Sequence, residues 1–115
     1  MLVVEFRGGA SAVSLERAAL RAAEGADGWP LGFVARFSGA ALAGDDLALS
    51  RMALARPAGH PLLRPGALVA DDETADVLIQ HARTMALAGV WRRVFLTLPP
   101  AIAWVQAVAR GSIEA

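Results

Sequence analysis

The stretch "GALVADDETADVLIQHAR", residues 66–83, sets a short apolar run directly against three acids and then a helical pattern. A run of four to eight apolar residues bounded by turn signals fits a buried strand. Leu78, Ala82, Met85 and Ala86 recur at helical spacing from Thr74 to Ala88, and Gly89 supplies the stop. A strand feeding a helix within so few residues is half of a βαβ unit, and the rest of the chain carries the same alternation.

Upstream, "LVVEFRG", residues 2–8, is rich in strand formers and halts at Gly8 and Gly9. "SLERAALRAAEGA", from Ser14, places Leu15, Ala18, Ala19 and Ala22 on one face and Arg17, Arg21 and Glu24 on the other, with Gly25 as a stop. A second apolar run, Phe33 to Phe37, is interrupted by Arg36 and predicts a strand covered on both faces. A helix is then expected from Asp45 or Asp46 through Leu49, Met52 and Ala53 until Pro57 forbids continuation.

"RPAGHPLLRP", residues 56–65, holds three of the six prolines and predicts the longest loop. "WRRVFLTL", residues 91–98, predicts a fourth strand. The final helix starts around Pro99 and Pro100, where missing amide hydrogens cost nothing, and includes Ile102, Val105 and Val108. Four strands alternating with four helices predict an α/β fold, an open sheet with crossover helices in a single domain over residues 1–115.

Composition narrows the function. The chain is 56% hydrophobic with 11 basic and 11 acidic residues, so no excess of positive charge points to nucleic acid. No cysteine is present, which excludes disulfides, thiolate zinc sites and cysteine nucleophiles. "MLVVEFRGG" lacks a basic segment ahead of its apolar run, unlike a secretory signal, and no apolar run approaches the roughly 20 residues needed to span a bilayer. A soluble, cytoplasmic protein is expected.

Chemical candidates are few. Asp71 or Asp72 as N-cap, with Glu73 in the first turn, accounts for the acid triplet by hydrogen bonding and the helix dipole. Their place at the carboxyl end of a strand is also where ligands sit in open α/β sheets. No glycine-rich phosphate loop accompanies them to complete a magnesium site. His60, in the proline-rich loop, and His81, at the flank of the third helix's apolar stripe, match no zinc spacing. His60 is expected at the loop surface and His81 as a partly buried, hydrogen-bonded side chain. Around Ser38 a nucleophile elbow fails because Arg36 stands where its first glycine belongs, and Gly8–Gly9 lacks the remainder of a dinucleotide fingerprint. No catalytic, cofactor or metal residue is assigned. Around the last helix, Ile102, Trp104, Val105 and Val108 spread over more than one stripe, which fits deep packing or cover by a partner, ligand or subunit.

Taken in order, these segments resemble the SpoIIAA-like branch of the STAS-like proteins, small bacterial α/β domains related in shape to anti-sigma-factor antagonists. "WPLGFVARFSGA" is similar to the family's central strand, "GALVADDE" to its next strand, and "RRVFLTLPPAIAWV" to its ending, with Phe95, Ala101, Ala103 and Trp104 at the recurring positions. In the antagonists the helix after the central strand opens with a serine phosphorylated to switch partner binding. The corresponding "AGDDLAL" puts Asp45 near that serine, so the resemblance implies a switchless, permanently acidic surface.

Relatives often carry a further strand ahead of the one matching "LVVEFRG"; an edge without it invites a second copy, so a homodimer is expected. The resemblance thus implies a non-catalytic binding or regulatory module with a protein partner, contacted by Asp45, Asp46, Asp71, Asp72 and, as an apolar anchor, Trp104. The alternative it raises is a carrier of a small apolar, lipid-like ligand, because a lipid-carrier fold is related in shape to STAS domains.

Overall fold

The computed structural model describes residues 2–7, 17, 21, 32–38, 48–57, 63–72 and 74–111. In chain order these form strand β1 (Leu2–Arg7), strand β2 (Phe33–Ser38), helix α1 (Ala48–Leu54), strand β3 (Gly66–Val69), helix α2 (Ala75–Leu87), strand β4 (Arg92–Phe95) and helix α3 (Leu98–Ala109). The expected helix after Ser14 lies outside the described residues except for Arg17 and Arg21, which are helical and exposed. His60, Glu73, Asp45 and Asp46 also lie outside them.

Among the described residues the strands run in the order β1-β2-β3-β4, each neighbouring pair parallel. Parallel pairs require crossover connections, here carrying α1 between β2 and β3 and α2 between β3 and β4, while α3 follows β4. Phe33, Val34, Ala35 and Phe37 of β2 are buried, as is the whole run from Gly66 to Ala70. Arg36 interrupts the first of these runs and is exposed.

Side-chain alternation assigns α3 to a face. Ala101, Trp104 and Val105 of α3 pack with Val34, Ala67 and Val69, which share one face of β2 and β3. Phe33, Gly66 and Arg92 are register partners on the other face. α2 packs against β4, and its Met85 belongs to a core cluster separate from that of α3. α1 packs on α2, where Ala53 joins Met85 and Val90, with Leu63 alongside.

Two close approaches hold the strand starts in register. A Cβ on Gly66 would meet the Cζ of Phe33 at 2.5 Å, so only glycine lets that ring lie flat across β3. Phe33 also donates its N–H to the carbonyl of Pro65 at 3.1 Å, and Gly66 donates to that of Trp91 at 3.0 Å.

α2 ends as its sequence predicts. Val90 N–H bonds to the Met85 carbonyl and Gly89 N–H to that of Ala86, with Gly89 at φ 77°. These are the two bonds of a Schellman motif, and the accompanying apolar contact is Met85 against Val90. β4 is shorter than the run "WRRVFLTL" implied. Thr97 is extended (φ −135°, ψ 157°) and α3 already begins at Leu98, so both prolines fall in its first turn.

Candidate functional site

Two groups of polar side chains stand out, one at the carboxyl end of β3 and one buried at the amino end of the sheet. At the carboxyl end the chain leaves Ala70, whose N–H still bonds to the Phe95 carbonyl at 2.8 Å, and turns at Asp71. The Asp71 Oδ1 accepts from the Thr74 N–H and from the Thr74 hydroxyl, each at 2.9 Å. In return, the Asp71 N–H donates to Thr74 Oγ1 at 3.1 Å. This is the reciprocal arrangement of a capping box, with threonine in the place usually held by Glu or Gln. Ala75 N–H donates to the Asp71 carbonyl at 3.0 Å, so the helical ladder starts one turn before α2 proper. Thr74, immediately before Ala75, makes no capping bond to the turn that follows it.

The acids thus divide. Asp71 is half-buried and committed to the backbone turn, whereas Asp72 is exposed, as is Asp76 in the first turn of α2. Among the described residues no three His, Cys, Asp or Glu side chains gather closely enough to hold a metal ion. On the adjacent strand, Leu96 follows β4 and is 70% exposed. The strand order shows no reversal among the described residues; Asp72 and Leu96 stand just beyond the carboxyl ends of the neighbouring strands β3 and β4.

The buried group joins three elements. Ser50 of α1 is 1% exposed and His81 of α2 is 6% exposed, and Ser50 Oγ and His81 Nδ1 share a hydrogen bond of 2.9 Å. Arg92, the first residue of β4, donates from Nη1 to the carbonyls of Arg64 and Trp91 and places its guanidinium 4.8 Å from the centre of the Phe33 ring. Burial pulls the Arg92 pKa down to about 9, which leaves it protonated at neutral pH. Burial, and secondarily the charge of Arg92, pushes the His81 pKa from 6.5 down to about 4. His81 is therefore neutral under ordinary conditions.

A serine and histidine 2.9 Å apart resemble a nucleophile and its base. Both side chains, however, are almost wholly withdrawn from solvent. The pair fixes α1 against α2 instead. His81 is buried and hydrogen-bonded as its flank position implied. Ser50 was missed, although a serine within the apolar pattern "ALSRMAL" signals a hydroxyl that needs a partner.

Trp104 is also inside. Its ring is buried against Phe95, with centroids 6.1 Å apart and planes tilted by 51°, a geometry that suits aromatic pairs. It packs α3 to the sheet and is not an exposed anchor; the exposed apolar group just beyond β4 is Leu96. Comparison with known proteins found no matching family model, no matching curated protein and no matching solved structure.

Two outcomes follow from these bonds. Asp71→Ala removes the cap and costs about 1 to 2 kcal/mol, whereas Asp72→Ala stays within about 0.5 kcal/mol, as urea denaturation of each variant measures. The histidine adds a pH dependence. Its folded pKa lies below its unfolded one, so the unfolded chain binds more protons between about 6.5 and about 4, and stability falls as pH drops through that window. The full effect is on the order of 3 kcal/mol. His81→Gln flattens the slope of stability against pH by up to one proton relative to wild type; equal slopes would show that His81 titrates normally.

Proposed function

We propose that this chain is a non-catalytic protein-binding module of SpoIIAA-like architecture that meets its partner at the carboxyl ends of β3 and β4. The observation that carries the proposal is the exposure of Asp72 and Leu96 just beyond the carboxyl ends of the adjacent strands β3 and β4, with Asp72 free of the capping task that occupies Asp71. An exposed acid next to an exposed aliphatic side chain suits a partner with a basic group beside an apolar one. Asp45 and Asp46 join this surface on the strength of the sequence resemblance alone. Further support comes from the parallel sheet with intervening helices, an arrangement of the kind the resemblance implies. With Asp45 where the relatives carry a phosphorylated serine, binding here is constitutive, with no phosphate switch at that position.

The test uses Asp72→Lys and Leu96→Ser, together with Asp45→Lys, as baits against an extract of the native host. Each variant is expected to keep its Tm within a few degrees, because Asp72 and Leu96 lie at the surface. Asp72→Lys and Leu96→Ser are expected to lose a partner that the wild type retains. Retention of that partner by both places the contact elsewhere on the molecule.

A further inference from the structure

The face of the sheet beneath α3 is covered unevenly. Register and alternation put Val3 and Glu5 of β1 on that face, level with Val34 and Arg36 of β2. α3 packs against β2, β3 and β4, and Val34, Ala67 and Val69 are buried there. The side toward β1 differs: Val3 is 46% exposed, and Glu5 and its register partner Arg36 are both exposed. A helix is about 10 to 12 Å across and strands lie about 4.8 Å apart, so a single helix covers about two strands. The sheet has four.

Parallel sheets ordinarily have both faces covered. A cross-strand pair of opposite sign accounts for Glu5 and Arg36 by themselves. It does not account for a valine half open beside them, nor for a charge on β2, an inner strand with neighbours on both sides. What fits this patch follows from its charges. Glu5 and Arg36 are adjacent and opposite in sign, so a two-fold axis passing between them sets Glu5 of one molecule against Arg36 of another, and the reverse. Glu5 also interacts within its own chain, and an exposed carboxylate has lone pairs for a second donor. The 11 basic and 11 acidic residues leave no net charge to repel a second copy.

We infer that the open part of this face, at β1 and the Arg36 end of β2, is the contact between two copies of this chain, held by reciprocal Glu5 to Arg36 pairs with Val3 alongside. The same patch serves both molecules, so the association closes at a dimer. Its charged groups are exposed, so it weakens with salt. It uses neither Asp72 nor Leu96, and failure of either proposal leaves the other standing.

Sedimentation velocity over a range of concentrations, at low and high salt, tests this with Glu5→Arg, Arg36→Glu and the two exchanges combined, each checked for folding by circular dichroism. Wild type is expected to pass from monomer to dimer and no further as concentration rises, and to dissociate at high salt. Each single exchange sets like charges face to face and is expected to weaken dimerisation at least about tenfold. An equimolar mixture of the two is expected to form a heterodimer, and the combined variant to dimerise as wild type does, because opposite charges meet again in both. Val3→Asp leaves Glu5 and Arg36 in place, is expected to weaken the dimer as well, and decides the matter if a single exchange fails to fold. A wild type that stays monomeric at every concentration overturns the inference. So does a dimer that the single exchanges and Val3→Asp leave intact, or a mixture and a combined variant that remain monomeric.

Discussion

A half-buried guanidinium is the constraint around which the amino end of the sheet is arranged. Arg92 opens β4, yet its charge lies over the Phe33 ring of β2 and is met by the carbonyls of Arg64 and Trp91. A buried charge is tolerated only when such partners surround it. Gly66 is the condition for this arrangement, because its missing side chain lets Phe33 lie across β3 toward Arg92. The same charge reaches α2, where it adds to burial in keeping His81 neutral, and His81 in turn bonds to Ser50 of α1. One cation thereby influences three strands and two helices.

What the sequence revealed depended on how local the signal was. The α2 limits were legible to within a residue, since apolar spacing, the acids before it and Gly89 after it all concern neighbouring positions. An aspartate cap was legible for the same reason, although not which of Asp71 and Asp72 supplies it, nor that Thr74 makes the reciprocal bond. The end of β4 was less clear, because Leu96, Thr97 and Leu98 carry strand propensity that the prolines behind them override. Trp104 was ambiguous since alanines make α3 look apolar all round. Ala103 is in fact exposed while Ala101, Trp104 and Val105 are buried, so the stripe is ordinary. The Ser50 to His81 bond joins positions 31 residues apart, and strand order depends on pairings just as distant, so neither leaves a local pattern.

This division bears on function. The side chains with the most chemical character are engaged in structure, the buried Ser50 and His81 in joining α1 to α2 and the half-buried Arg92 in bonds to backbone carbonyls. What the described surface presents are carboxylates, arginines and a few protruding apolar groups, which are materials for recognition. The capping box explains why two adjacent aspartates differ: one is consumed by the turn, and the other is left to the solvent.

The claim that most of this depends on is that the buried cluster is a structural, uncharged junction and not a reactive one. Titration of His81 by NMR of its imidazole resonances, with His81→Gln to assign them, addresses it most directly. The cluster described here predicts that His81 stays neutral down to about pH 4 and that its resonances persist in a single folded environment above that point. An inflection near the ordinary 6.5 would contradict it, because a histidine that takes up a proton so readily is neither sealed from water nor held beside the Arg92 charge.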